Sequence, residues 1–174
     1  MKTIFFLMTA IFVQAASLAA QEDAKNKPAT KRVAFAQSCF WTGEMKLGQI
    51  EGVVRTEAGF FKGREVTLVE YAPERIALED LARQARQAGV ADSIHLEAGS
   101  QGALAGVSNG PPLDRSYRAA PASDQKKQIE GTPFSRLQLS PEQATKVNAF
   151  ARENAGKAWE WLTPEQRKQI KGGK

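Results

Sequence analysis

One cysteine and one histidine among 174 residues narrow the available chemistry before any fold is considered. Cys39 lies in Gln37-Ser38-Cys39-Phe40-Trp41-Thr42-Gly43-Glu44, where a short apolar strand gives way to a helical pattern. A thiol at a helix N-terminus faces backbone N–H groups that have no intrahelical partner, and these favour the nucleophilic thiolate. The competing reading is an inert core thiol, because free cysteine packs as a small hydrophobe. His95 reads as a structural or surface strand residue. A lone histidine and a distant cysteine cannot build a zinc shell, so no metal is expected. Copper held by Cys39 and Met45 would lack a nearby imidazole and make a poor site. Gly59-Phe60-Phe61-Lys62-Gly63 reads as a hairpin turn, not a phosphate loop.

The elements that must position Cys39 follow from periodicity. Val33 to Ala36 predicts a short buried strand, and Phe40 to Leu47 a helix ending near Gly48, with Ser38 available as its cap. Val53 to Phe60 and Glu65 to Tyr71 are β-rich runs around a Gly-containing turn, and so predict a hairpin. In the second run Glu65, Thr67, Val69 and Tyr71 share one face, with Val66 and Leu68 on the other. Leu78, Leu81, Ala82, Ala85 and Ala88 recur at helical spacing before Gly89, and Val90 to Leu96 predicts a further strand. The order strand, helix, strand, strand, helix, strand is that of an α+β fold, the ferredoxin-like split βαβ sandwich. Glu97 to Pro112 carries four glycines and reads as loop. Ser140-Pro141-Glu142-Gln143 and Thr163-Pro164-Glu165-Gln166 repeat one helix-start signature and predict two additional C-terminal helices. Val147, Phe150 and Ala151 would face the core from the first, with Trp159, Trp161 and Leu162 packed between the two.

The N-terminus predicts export. Lys2 precedes an apolar run from Ile4 to Val13, and Ser17 and Ala19 supply the small residues of a cleavage site before Ala20. The run is shorter than the ~20 apolar residues that span a bilayer, so no stable membrane insertion is expected after cleavage. The expected organisation is a signal peptide over 1–19, a flexible polar tether over 20–31, and a single domain over 32–174 with a C-terminal helical extension. A periplasmic or secreted location follows. The net charge of +5, with its signs interleaved, does not describe a nucleic-acid surface. An exported chain with one cysteine has no internal disulfide, so its thiol stays free, is capped, or pairs with another molecule.

An ordered set of short motifs carries more. Cys39-Phe40-Trp41 is followed by Gly52-Val53-Val54, Ala58-Gly59-Phe60, Gly63-Arg64-Glu65-Val66 and Val69-Glu70-Tyr71-Ala72-Pro73-Glu74-Arg75-Ile76-Ala77-Leu78-Glu79-Asp80-Leu81. Over about residues 32–82 this set resembles the type A peptide-methionine sulfoxide reductases, which reduce the S epimer of methionine sulfoxide. Tyr117-Arg118-Ala119 echoes a later Tyr-Arg-Ser of that family. The departures are Gln37-Ser38 in place of glycines, Phe60 in place of a hydrogen-bonding tyrosine, and Arg64 in place of a histidine. The family's long segment between the motifs matched by Ala58-Gly59-Phe60 and Gly63-Arg64-Glu65-Val66 is missing, and the acidic residue before its Tyr-Arg is matched only by the nearby Asp114.

The resemblance implies that Cys39 is the nucleophile, Glu65 the acid, Phe40 and Trp41 the walls around the substrate methyl group, and Tyr117 a second hydrogen-bond donor. A thiolate would attack the sulfoxide sulfur while a carboxyl group kept protonated by apolar walls gives its proton to the oxygen. No bound cofactor is implied. With no second cysteine, the Cys39 sulfenic acid needs an external thiol, a thioredoxin-like protein or a small thiol, and the substrate partner is oxidised methionine in proteins, peptides or small molecules. Two other readings remain open: a different thiol oxidoreductase on the same scaffold, and a non-catalytic module binding a methyl sulfoxide or a peptide.

Overall fold

The computed structural model describes residues 29–99, 104 and 106–172, so the expected signal segment over 1–19 and residues 20–28 of the expected tether lie outside the described residues, and Lys31, placed in that tether, already belongs to the first strand. β1 (Lys31–Ala36) leads through a three-residue link into helix α1 (Phe40–Gln49). β2 (Val53–Phe61) and β3 (Arg64–Tyr71) follow, then α2 (Leu78–Gln87) and β4 (Ser93–Leu96). These four strands stand in the order β4-β1-β3-β2, each antiparallel to its neighbours. This is the ferredoxin-like split βαβ arrangement, in which β3 separates β1 from β2. Two short strands extend it: β5 (Ser108–Asn109) runs parallel to β4, and β6 (Arg118–Ala119) runs antiparallel to β2.

The β2–β3 connection is a two-residue turn, Lys62 and Gly63, with φ of 47° and 76°. Both lie in the left-handed region of a type I′ turn, whose twist matches that of the flanking strands. The register it sets puts Phe60 opposite Glu65 and Gly59 opposite Val66. Side chains alternate as the period of two requires. Val33, Phe35, Val69 and Tyr71 join α1 and α2 in the larger core, whereas Ala34, Ala36, Phe61, Val66 and Leu68 form a smaller cluster on the opposite face. His95, on β4, is buried, with its ring 4.9 Å from that of Phe61 and Nδ1 2.9 Å from the Pro111 carbonyl oxygen.

Three helices, not two, close the chain: α3 (Pro141–Phe150), α4 (Ala155–Glu160) and α5 (Pro164–Gly172). Both helix-start signatures are realised. Ser140 and Gln143 exchange hydrogen bonds of 3.1 and 3.2 Å, and Thr163 and Gln166 exchange bonds of 2.8 and 3.2 Å. The extra helix starts at Asn154, whose side chain accepts from the Lys157 N–H, a capping signal with no proline to mark it. Val147, Ala151, Ala158 and Leu162 form the core here, with Phe150, Trp159 and Trp161 packed against it. α3 lies against α1 and β2. The Thr145 hydroxyl accepts from the Thr56 N–H at 3.1 Å, and at Gly48 an added Cβ would stand 3.0 Å from that of Ala149. The C-terminal extension is therefore a brace on the helix that begins at Cys39.

Candidate functional site

Cys39 occupies the N-cap position of α1 with extended backbone, and its carbonyl accepts the first helical bond, from Gly43 N–H at 3.0 Å. Its thiol is free and partly exposed. Ser38, the expected cap, is not the capping residue. The first helical amide, Phe40 N–H, donates instead to Glu65 Oε2 at 2.8 Å. A carboxyl group from the start of β3 thus caps α1 from 25 residues away, against the peptide unit that joins Cys39 to Phe40. Such a contact satisfies an N–H that has no intrahelical partner.

Two further contacts set the height of the helix over the sheet. The buried Gln37 amide lies 2.9 Å from Thr67 Oγ1, and that hydroxyl donates to the Phe40 carbonyl at 3.5 Å. Both side chains press on Gly43, where an added Cβ would meet Gln37 Nε2 at 2.6 Å and Thr67 Oγ1 closer still. A side chain at position 43 would have to displace one of them for the helix to keep this seat.

The aromatic residues divide. Phe40 is 5% exposed and packs with Ala58, Ala120 and Phe60, the Phe40 and Phe60 rings meeting edge to face at 5.4 Å. Phe60 stands directly across the β2–β3 pair from Glu65 and offers no hydroxyl there. Trp41 is 37% exposed, with its ring 6.1 Å from that of Phe40 and the Lys127 ammonium 5.4 Å from the indole centroid. Cys39, Glu65, Phe40 and Trp41 therefore lie together at one end of α1.

Tyr117 does not join them. Its ring lies over Gly59, where an added Cβ would meet it at 2.6 Å, and packs on the Phe61–Val66–Leu68 face. Gly59 points away from the face carrying Ala58 and Phe60, so Tyr117 sits across the sheet from Glu65. Its hydroxyl donates to Glu57 Oε1 at 2.8 Å, and burial, with that carboxylate, pushes its pKa well above the ordinary tyrosine range. Arg118 and Ala119, which follow it, pair with Phe60 and Gly59 of β2, while the phenol itself is committed to Glu57.

Sequence reasoning missed the support on the other side of α1. Glu44 is fully buried, and its carboxylate forms an ion pair with Lys126 Nζ, accepts Lys126 N–H at 2.7 Å and meets Thr56 Oγ1 at 3.4 Å. Lys126 Nζ also donates to the Thr56 carbonyl at 2.6 Å, and Lys126 itself has a left-handed backbone, φ 52°. The preceding Gln125 holds both sides of one peptide edge, accepting from Ala58 N–H at 3.0 Å and donating to Ala58 O at 2.8 Å. A local signal for Glu44 existed, since Phe40, Glu44 and Leu47 fall at i, i+4 and i+7 on one helix face. Its partner, 82 residues later, had none. Among the described residues no group of three metal-ligating side chains occurs, and no helix is long and apolar enough to cross a membrane.

The strand order, the two helices on one face and the cysteine at the start of the first helix define an α+β sandwich carrying a thiol site. Among solved structures, the chain is similar to methionine sulfoxide reductase A of Corynebacterium diphtheriae, with a TM-score of 0.50 and 16% identity over 68% of this chain and 81% of that one. Its fold is thus that of methionine sulfoxide reductase A, the fold implied by the Cys39-Phe40-Trp41 resemblance. No family model and no curated protein sequence matches the chain.

Proposed function

We propose that this protein is an exported, periplasmic or secreted, thiol-dependent reductase of methionine S-sulfoxide in proteins or small molecules. The observation that carries the reading is the 2.8 Å bond from Phe40 N–H to Glu65 Oε2. It seats a carboxyl group beside the residue that bears the nucleophile, on a fold shared with a sulfoxide reductase. The partial exposure of Cys39 favours this reading over a binding module with a buried thiol. Export rests on the N-terminal pattern of residues 1–19.

In the reaction, the Cys39 thiolate attacks the sulfoxide sulfur while Glu65 delivers a proton to its oxygen. As the adduct collapses, the hydroxyl passes from the substrate sulfur to the Cys39 sulfur and the S–S bond breaks, its electron pair returning to the substrate sulfur, so that the sulfide leaves and Cys39 remains as a sulfenic acid. An external thiol attacks that sulfur, releasing water and forming a mixed disulfide. A second thiol then frees Cys39 and departs as part of a disulfide. The net change is one sulfoxide reduced, two thiols oxidised and one water formed. Phe60 adds no donor to the oxygen, so proton delivery falls to Glu65, and slow turnover is expected because a single such donor is worth about 10²–10³ in kcat.

The test is incubation with methionine S-sulfoxide and dithiothreitol, with sulfide measured by chromatography. The expected result is product from the wild-type chain, none from Cys39→Ser, and a fall of about 10²-fold or more in Glu65→Gln, whose amide oxygen still accepts from Phe40 N–H. Equal product from Cys39→Ser would overturn the mechanism. A peroxide-formed sulfenate without sulfoxide turnover would replace it with the other thiol oxidoreductase reading.

A further inference from the structure

Trp41 is a large apolar side chain left exposed beside a reactive thiol, and its orientation is set from a distant part of the chain. Three consecutive residues after β6 each bind a different part of the site. Gln125 brackets Ala58 on β2, Lys126 locks onto Glu44 inside α1, and Lys127 places its ammonium 5.4 Å from the Trp41 indole centroid. The first two contacts are held by buried or half-buried hydrogen bonds, so the backbone that delivers Lys127 is fixed on both α1 and β2. The Lys127 ammonium is aimed in turn by Glu130 Oε2 at 2.6 Å and by the Ser123 carbonyl at 3.4 Å.

We infer that Lys127 is a positioning and specificity-determining residue: it covers one face of the Trp41 indole and holds the other as the wall for the substrate's methyl sulfoxide. The inference rests on the reductase reading for its substrate but not for its geometry. A cation over an indole face is attracted by the ring quadrupole, and once seated it prevents the substrate from using that face. The methyl group and the electropositive sulfur then have one orientation against the ring. Arginine can replace lysine in this role, because its guanidinium stacks on aromatic faces at least as well, whereas methionine keeps the stem and loses the charge.

The experiment compares the wild-type chain, Lys127→Met, Lys127→Arg, Trp41→Phe and the double variant Lys127→Met/Trp41→Phe. Removing the cation is expected to raise KM for methionine sulfoxide about two- to five-fold with kcat little changed. Arginine should restore KM, and the substitution should have no further effect once Trp41 is phenylalanine. Tryptophan emission supplies the readout that needs no turnover: Lys127→Met should shift it to longer wavelength, and the shift should vanish in the Trp41→Phe background. An unchanged emission, failure of arginine to restore KM, or an effect that persists without Trp41 would overturn the inference. If the wild-type chain forms no sulfide, the reductase reading fails, and emission alone decides whether Lys127 holds the indole.

Discussion

Lys126→Met tests whether the buried pair under α1 holds the site together. Glu44 has no exposed side-chain surface, and the Lys126 side chain is 17% exposed, so the substitution leaves a carboxylate in the interior without its counter-charge. Breaking a buried pair from one side costs about 3–5 kcal/mol. The lower end applies, because Lys126 N–H at 2.7 Å and the Thr56 hydroxyl at 3.4 Å still face Glu44. A loss of about 3 kcal/mol is a large share of the ~5–15 kcal/mol typical of a domain, and at about 2–4 °C per kcal/mol it lowers Tm by roughly 6–12 °C. Urea unfolding with m held constant measures it. Glu44→Gln/Lys126→Met removes the stranded charge and should regain much of the loss, a coupling of about 1–3 kcal/mol. A Lys126→Met loss under about 1 kcal/mol, or strict additivity in the cycle, would refute the claim that this pair is buried and mutually dependent.

Burial, with a smaller contribution from Arg75, pushes the Lys146 ammonium down to about 8 from its ordinary 10.5. Between those two pH values the unfolded chain carries more protons at this site, so its contribution to stability rises with pH across that window. Lys146→Met should flatten the rise, read as the difference in unfolding free energy between pH 7.5 and pH 10, and parallel slopes in the two proteins would sink the reasoning. Gly43→Ala drives a methyl group into Gln37 and Thr67. It should cost about 1–3 kcal/mol and depress turnover together with stability, whereas a neutral effect by thermal unfolding would mean that α1 can lift freely. Ser140→Ala removes the 3.2 Å cap bond to Gln143 N–H; a loss of about 1 kcal/mol, with faster amide exchange at the start of α3, is expected.

What was legible in the sequence was whatever short-range chemistry decides. The strand alternation of Glu65 to Tyr71, the Gly63 turn and the two Ser/Thr-Pro-Glu-Gln helix starts each follow from residues within a few positions of one another, and each appears where periodicity placed it. The grouping of Cys39, Phe40 and Trp41 with Glu65 was legible only through the family resemblance, because no spacing rule ties a strand-start glutamate to a helix amide 25 residues earlier. Tyr117 stands apart from that group. Arg118 and Ala119 pair with β2, but Tyr117 precedes that strand, and its hydrogen bond to Glu57 and its packing on the Phe61–Val66–Leu68 cluster hold the phenol on the face opposite Glu65.

The side chains that hold α1 share one physical role, which explains how a helix with a free cysteine at its tip stays in place without a disulfide. α1 is met by a polar side chain from elsewhere in the fold at each end and by one ion pair between them. Glu65 binds the first amide, Lys146 donates to the Gly48 and Ile50 carbonyls at 2.8 and 3.1 Å near the other end, and Glu44 ties the middle to Lys126. At the C-terminal end the cation has the sign the helix dipole favours, while at the N-terminal end a Glu65 carboxyl oxygen accepts from the first amide and leaves the other oxygen to carry the proton. None of the three partners comes from α1 or its flanking turns. They come from β3, from α3 and from the segment that delivers Lys127 to Trp41, so the C-terminal helices and the site are mechanically one unit. Deleting α3 to α5 should therefore abolish sulfoxide turnover even though every residue proposed to touch the substrate precedes them.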